Sequence, residues 1–259
     1  DGAASASCKS LHLGLLDGVE GFDRTDAIDA PRVFSSQGWY GFNCVSTLYI
    51  DGYAQSAAHV AMTTTLGAAA GCLGTAAIGF VEKQYIDPGY VYNGVLAGLV
   101  SITSPCAVVS PFGAIVVGLI GSLVYVGASK GVKAAGIDDA VDAFAVHGAC
   151  GAWGVIACGL FATPFYYSVS YYGDRKDDCA GLFYGGKASG SFAAAFACVF
   201  VILAWVGSTM GALFGTLKAT GLLRVSQEIE DAGLDDSKHG GAMSEVVAAS
   251  VDGVKATEA

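Results

Sequence analysis

The stretch DDAVDAFAVHGACGAWGVIACGLFA, residues 138–162, decides the fold class of this chain. It opens with three carboxylates in five positions and then runs almost entirely apolar around one histidine, His147. A bilayer core about 30 Å thick is crossed by about 20 mostly apolar residues in a helix. The sequence therefore predicts a transmembrane helix that carries an ionisable imidazole.

The composition of the whole chain is that of a membrane protein. Of its 259 residues, 53% are hydrophobic and only 14% are charged, and the mean hydropathy is +0.54. Soluble domains carry about 25% charged residues. The net charge of −10 argues against a nucleic-acid partner, which usually requires a basic face. The eight cysteines form no CxxC pair and have no histidine at zinc-like spacing, so we expect neither a metal site nor a disulfide framework. We also expect no cofactor.

Further apolar segments predict an all-α, polytopic helical membrane protein. We expect about five full transmembrane helices, together with a half span at residues 38–50 that is apolar for only about half a membrane thickness. Short polar connections separate the segments. The five predicted full spans are residues 55–81, 93–110, 111–129, 139–163 and 190–217.

The chain divides by composition into three parts. Residues 1–35 resemble nothing that we can place and are interpreted as a gene-model artefact. Residues 36–218 form the membrane domain, and residues 219–259 form an acidic tail that we expect to be disordered after about residue 242. Lys and Arg in the short connections are more numerous on the side of the tail, which predicts a cytoplasmic C-terminus. The cations on that side are Lys83, Lys130, Lys133, Lys218 and Arg224.

The ionisable groups of the spans have different interpretations. Asp138, Asp139 and Asp142 are predicted in the first turn of a helix, where carboxylates cap free N–H groups and oppose the positive end of the helix dipole. His147 lies beyond that turn. It either faces a water path or is a hydrogen-bonded core histidine, and the pattern leaves both open. His59 lies near the start of a span, which favours an interfacial role.

The spans are rich in small residues at four-residue spacing. Such residues allow helix backbones to approach closely in lipid, where no hydrophobic force drives helices together. The pattern predicts a compact bundle and indicates no substrate. It occurs at Gly67 and Gly71, at Gly154 and Cys158, and at Gly207, Gly211 and Gly215.

A second candidate site lies in the segment WYGFNCVS, residues 39–46. If the segment is helical, Phe42 and Ser46 are four residues apart and share a face. An aromatic ring attracts a cation with its face, and a hydroxyl oxygen accepts hydrogen bonds, so the pair suits a small cation. The aromatic belt of a membrane interface has the same composition and is the alternative interpretation.

The chain resembles the ammonium transporter family (Amt/Mep/Rh) in four ordered segments: GWYGFNCVST, NGVLAGLVSITSPCAVVSPFGAIVVGLIG, IDDAVDAFAVHGACGAWGVIACGLFA and GLLRVSQEIEDAGLDDSKHGG. They cover about residues 38–241 and look like the second half of the family's eleven-span fold, with a tail similar to that of the Amt branch. The resemblance implies a transporter, not an enzyme. It also implies a homotrimer in the lipid of the plasma membrane. The family's first five spans are missing from this chain, so we expect a fragment.

The resemblance implies a role for each matching residue. Ser46 would be the hydroxyl of a vestibule that recruits ammonium, and Phe42 would be a ring of the gate below it. His147 would be the second of two pore histidines that conduct ammonia. The acidic residues of the matching motif would stabilise the pore helix from the cytoplasmic side. They are Asp138, Asp139 and Asp142.

The tail resembles a regulatory segment that packs on the cytoplasmic face of the family's trimer. Gly233, Asp235 and Gly240 match its motif, and Ser237 falls where some relatives carry a phosphorylatable hydroxyl. A phosphate there would add up to about two negative charges, so a protein kinase is an expected partner. A solvated acidic tail is the alternative.

Three alternatives to transport stay open. A receptor would bind ammonium in the same vestibule without conducting it, and a truncated transporter would do neither. A membrane enzyme would use His147 as a base, but the sequence shows no nucleophile or metal constellation that would complete a catalytic site.

Overall fold

The computed structural model describes residues 38–49, 51–171 and 173–234, and within these ranges every regular element is a helix. The predicted all-α fold class is therefore confirmed. The hydrophobic core of these ranges consists of side chains from the long helices and from the turn at residues 104–110, with small and aliphatic residues dominating the buried set. The helices are numbered α1 to α8 in chain order.

The chain divides into two compact units, Asp1–Phe200 and Val201–Ala259, with the boundary inside the last long helix. The first unit holds every candidate residue of the predicted membrane domain, and the second holds the rest of that helix and the tail. The segment 1–35 and the disorder predicted after residue 242 lie outside the described residues. The three-part division of the chain stays a prediction.

The predicted half span is the short helix α1, residues 38–45, which is followed by a turn. The next helix, α2, is Ala54–Lys83, and its 30 residues extend about 45 Å. It contains the whole predicted span 55–81, which is confirmed. The helix ends at Gln84, where a left-handed φ of 61° turns the chain away from the helix axis.

The predicted span 93–110 is wrong in its second half. Helix α3 is Pro88–Thr103, which begins earlier than predicted behind the capping side chain of Asp87 and ends earlier. Pro105 explains the early end, because a proline has no N–H to donate to the preceding turn of the helix. Residues 104–110 instead form an irregular turn.

Helix α4 is Pro111–Ala134, which confirms the predicted span 111–129 and extends it at the C-terminal end. Its start combines two N-terminal signals. The Ser110 hydroxyl accepts the N–H of Gly113 at 3.0 Å, and Pro111 occupies the first helical position, where no N–H is needed.

The predicted span 139–163 begins later than expected. Helix α5 opens with a π-helical turn, Phe144–Ala149, and continues as the α-helix Cys150–Phe161. Asp142 has a left-handed φ of 53°, which a right-handed helix cannot contain. The three aspartates of the acidic motif therefore precede the helix. The prediction that they occupy its first turn is wrong.

The remaining helices follow a turn-rich segment. Helix α6 is Pro164–Ser170, and single 3₁₀ turns follow it. A π-helical turn, Ala188–Phe192, leads into α7, which is Ala193–Ala219. The predicted span 190–217 is confirmed by this helix. The short α8 is Gln227–Ala232.

Four helical segments of the described ranges are long and apolar enough to cross a membrane. Helix α3 has 16 residues and extends about 24 Å, which is less than the thickness of the hydrocarbon core. By helix length, the described residues therefore contain four full spans and not the predicted five. The four segments are Ala54–Lys83, Pro111–Ala134, Phe144–Phe161 and Ala188–Ala219.

Glycines bring α2, α3 and α4 into backbone contact. A Cβ atom added to Gly71 would lie 2.5 Å from the carbonyl oxygen of Gly94. A Cβ added to Gly98 would lie 2.3 Å from the carbonyl oxygen of Gly67. Neither helix has room for a side chain at these crossings, so the predicted packing role of Gly67 and Gly71 is confirmed.

The other small residues differ in outcome. A Cβ added to Gly154 would lie 2.6 Å from the carbonyl oxygen of Ser101, so this glycine also sits at a helix crossing, as predicted. Gly207, Gly211 and Gly215 belong to the second unit, and their packing role stays a prediction.

Candidate functional site

Charged side chains mark one end of the bundle of α2 to α5. Lys83, Lys130 and Lys133 line a cavity of about 300 Å³ together with Asp142, and Lys130 also forms an ion pair with Glu82 on α2. The sequence predicted these three lysines on one side of the membrane, and the structure places them at one end. That this side is cytoplasmic stays a prediction.

Asp142 is the centre of a hydrogen-bonded cluster at this end. The Tyr125 hydroxyl donates to Asp142 Oδ2 at 2.9 Å, and the Ser129 hydroxyl donates to Oδ1 at 2.7 Å. Asn93 donates to the Tyr125 hydroxyl at 2.8 Å, and Lys133 Nζ lies 3.5 Å from Asp142 Oδ1. Tyr125 and Ser129 are one turn apart on α4, so both reach the same carboxylate. We call these five residues the Asp142 cluster.

The cluster keeps Asp142 ionised. Burial opposes ionisation, but the hydrogen bonds from Ser129 and Tyr125 and the charge of Lys133 outweigh it, so the pKa of this carboxyl lies below its usual value of 3.8. A carboxyl whose pKa is lower in the folded state stabilises the fold above its unfolded pKa. That stabilisation is lost as the pH falls through the folded pKa.

An acid titration of stability tests this property of Asp142. Lowering the pH from about 5 to about 3 is expected to lower the unfolding temperature of the native chain more than that of Asp142→Asn, which has no carboxyl to protonate at this position. The measurement is thermal unfolding in detergent, followed by circular dichroism. An equal decrease in both proteins would show that ionisation of Asp142 does not stabilise the fold.

Asp139 caps the start of α5. Its carboxylate accepts the N–H groups of Ala143 at 2.7 Å and of Phe144 at 2.9 Å. These donors have no partner within the helix, and a negative charge is favourable beside them. The predicted capping role is thus observed for Asp139. Asp138 directly precedes Asp139 in the chain and is exposed, whereas the Asp142 carboxylate accepts a hydrogen bond from Ser129 on α4.

His147 lies on the π-turn of α5, and its side chain is exposed. The two preceding residues, Ala145 and Val146, are buried, with exposed fractions of 0% and 2%. No hydrogen bond joins the imidazole to another described residue. The exposed ring does not match a hydrogen-bonded core histidine, and the pore role of His147 stays a prediction.

Phe42 and Ser46 lie at the opposite end of α2. They line a cavity of about 460 Å³ with Ser56, which is about 40 Å along α2 from Lys83. The Ser46 hydroxyl donates to the Phe42 carbonyl at 2.6 Å, so its own oxygen stays available as an acceptor. The structure brings these two predicted residues together. His147 does not line this cavity.

Side-chain hydrogen bonds hold α1 in place beside this cavity. Trp39 Nε1 donates to the Thr103 hydroxyl at 2.9 Å, and Asn43 Nδ2 donates to the Thr64 hydroxyl at 3.1 Å. Asn43 is buried, although it belongs to a helix of only eight residues. The position of Phe42 therefore depends on polar contacts with α2 and α3.

His59 has structural contacts at the same end. Its Nε2 lies 2.9 Å from the Val109 carbonyl oxygen, and its ring stacks on Tyr166 with 4.0 Å between ring centroids. No group of three or more His, Cys, Asp or Glu in the described part of the chain could hold a metal ion.

The sequence reasoning missed three residues of the Asp142 cluster, namely Asn93, Tyr125 and Ser129. A signal was present, because Tyr125 and Ser129 are polar residues four apart in an otherwise apolar helix and therefore share a face. In a membrane helix such groups usually find a protein partner. The pattern does not identify the partner as Asp142.

Only one of the predicted tail residues is described. Gly233 follows α8 with a φ of 84°, a backbone conformation that favours glycine. Asp235, Ser237 and Gly240 lie beyond the described residues, and their roles stay predictions.

The fold and the sites define a polytopic helical membrane protein with an exposed imidazole on a spanning helix. The chain belongs to the Ammonium Transporter Family, whose family model matches residues 34–244. The family predicted from the four sequence segments is confirmed.

Curated relatives agree with this assignment. The chain is 42% identical over 219 residues to ammonium transporter 1 member 2 of Arabidopsis thaliana, with 79% of this chain and 41% of the relative covered. It is 38% identical over 202 residues to ammonium transporter Amt2 of Archaeoglobus fulgidus, with 78% and 42% covered. The chain thus spans about two fifths of the length of these relatives. Both relatives are named as ammonium transporters.

Solved structures agree with the fold. A protein described as a sensor Amt protein matches with a TM-score of 0.67 at 27% identity, over 80% of this chain and 47% of that chain. Saccharomyces cerevisiae Mep2 matches with a TM-score of 0.66 at 24% identity, over 78% and 46%. The match to Saccharomyces cerevisiae Mep2 supports only the fold.

Proposed function

We propose that this chain takes part in moving ammonium across a membrane. The observation that carries the proposal is the family match over residues 34–244, which includes all four helical segments able to span a bilayer. The relatives named above are ammonium transporters. Because the chain spans about two fifths of their length, its activity, substrate and partners all belong to the proposal.

Recruitment of the cation is assigned to Phe42 and Ser46. The exposed face of the Phe42 ring attracts positive charge, and the Ser46 oxygen keeps lone pairs free to accept an N–H from ammonium. Both residues line the same cavity, which is large enough for a small cation and several waters. Ammonium would give its proton to a water molecule in this cavity and continue as ammonia.

Passage of the solute across the apolar layer of the membrane is assigned to His147. Burial of an unpaired cation costs far more than burial of neutral ammonia, so an apolar path favours ammonia. A neutral imidazole has one ring nitrogen that donates and one that accepts, so it can form hydrogen bonds with either species. The exposed ring of His147, without a described hydrogen-bond partner, is available for this role.

Assembly, location and regulation follow from the family as further parts of the proposal. The chain would act in a homotrimer in the plasma membrane, with its C-terminus in the cytoplasm and a kinase acting on Ser237. The shared end of Lys83, Lys130 and Lys133 supports this orientation, because cytoplasmic ends of membrane helices carry excess Lys and Arg.

Reconstitution of the full chain in liposomes tests the proposal. Uptake of radiolabelled methylammonium, the protonated form of methylamine that prevails at neutral pH, is expected to saturate and to exceed uptake by empty liposomes. Competition by unlabelled ammonium should reduce it. Isothermal titration of the same protein with ammonium measures binding separately.

The outcomes distinguish the alternatives. Saturable uptake with competition supports transport. Binding without uptake overturns transport and favours a receptor that senses ammonium. Absence of both overturns the proposal for this chain and corresponds to a truncated transporter without activity.

A further inference from the structure

The π-turn of α5 controls which side chains face the bundle. Over Phe144–Ala149 the buried residues are Ala145 and Val146, and His147 is exposed. The α-helix that follows buries Cys150 and Gly154. The His147 side chain thus points away from the buried face of α5.

An uninterrupted α-helix would turn His147 the other way. Positions 147, 150 and 154 have the spacing of one helix face, so the imidazole would point toward the face that packs on α3 and α4. Ala145 would then lie on the far side. A π-turn contains about one more residue than an α-turn, which rotates the preceding residues relative to the following ones. This rotation buries Ala145 and exposes His147.

Two anchors on the bundle hold the extra residue in place. On the C-terminal side, the thiol of Cys150 lies 3.6 Å from the Gly121 carbonyl oxygen. On the N-terminal side, the Asp142 carbonyl accepts the N–H of Val146 at 2.9 Å, and its carboxylate is bound by α4. The segment between the anchors therefore cannot shift along α4 without breaking one of them.

We propose that Tyr125 and Ser129 are positioning residues that, by binding the Asp142 carboxylate, hold the π-turn in the register that exposes His147. Tyr125 and Ser129 are themselves nearly buried, with exposed fractions of 4% and 6%, so their hydroxyls have fixed directions. The register follows from the geometry alone. Its value for ammonium passage rests on the proposed function.

Thiol labelling of the full chain in detergent tests the register. Ala145→Cys and His147→Cys are made separately and treated with N-ethylmaleimide, and mass spectrometry of peptides distinguishes the new thiol from native cysteines. Position 147 is expected to react and position 145 to be protected. Adding Tyr125→Phe and Ser129→Ala is expected to change the ratio of the two labelling rates at least about tenfold in favour of position 145, because two hydrogen bonds to a charged acceptor are lost.

Ser122→Ala is the matched control. It removes another buried hydroxyl from α4, but that hydroxyl bonds only to the Leu119 carbonyl of its own helix. The labelling ratio should stay as in the native chain.

Two results would overturn the positioning role. An unchanged ratio would show that the two hydroxyls do not set the register. Faster labelling of position 145 without slower labelling of position 147 would show general loosening instead of a shift. Methylammonium uptake is measured on Tyr125→Phe/Ser129→Ala with His147 intact. If labelling shifts while uptake is retained, the positioning role stands and the proposed function of His147 fails.

Discussion

Replacing Gly98 with alanine is expected to lower the free energy of unfolding by about 1–3 kcal/mol or more, the range of overpacked cores. The new Cβ would lie 2.3 Å from the Gly67 carbonyl oxygen and 3.0 Å from the Ala68 Cα. Both are backbone atoms, so no side-chain rotation relieves the clash. The helices α2 and α3 would have to separate, and the close packing along their whole crossing would be lost.

Gly127→Ala on α4 is the control for this substitution. Gly127 is also helical, but a Cβ added there meets nothing within 4 Å. Alanine has a higher helix propensity than glycine, so this variant should keep or slightly raise the stability. The measurement is thermal unfolding of both purified variants in the same detergent. Equal stability of the two variants would contradict the backbone contact between α2 and α3.

Replacing His147 with alanine is expected to reduce methylammonium uptake by about twofold to tenfold, since a hydrogen bond between neutral groups contributes about 0.5–1.5 kcal/mol. The unfolding temperature should stay unchanged, because the ring is exposed and bonds to no described residue. Uptake is measured in liposomes at matched protein content. Normal uptake that is still inhibited by ammonium would exclude the assigned role of His147.

His59→Ala provides the comparison with a second imidazole. This ring stacks on Tyr166 and lies 2.9 Å from the Val109 carbonyl oxygen, so its loss should lower the unfolding temperature. Uptake per folded molecule should stay near the native value. The two substitutions are therefore expected to affect different properties: His147→Ala lowers transport, and His59→Ala lowers stability.

Local sequence patterns located most helices because the cause of each is local. Ser110 and Pro111 start α4 through a cap and a fixed backbone angle, and the apolar run that follows is as long as a bilayer is thick. The early end of α3 was also encoded locally, in Pro105, but hydropathy alone does not register the missing N–H. The predicted span 93–110 failed for this reason.

The pairing of α1 with its neighbours was not readable from the chain. The sequence placed Phe42 and Ser46 on one face, and the structure finds them in one cavity. That cavity also needs Ser56 and Ser170, which are joined by a hydrogen bond of 2.8 Å across 114 residues of chain. Contacts at such a separation depend on how whole helices pack.

The sequence by itself determined an all-α membrane protein, the approximate spans and the candidate residues of the proposed site, because length, hydropathy and capping are local properties. Only the tertiary structure decided where His147 points. The register of Phe144–Ala149 is set by two anchors, Asp142 and Cys150, that bind α4 from either side of the π-turn. An uninterrupted α-helix over the same residues would point the imidazole toward the bundle. The periodicity of the sequence does not predict this difference, because it does not include the contacts that a helix makes with another helix.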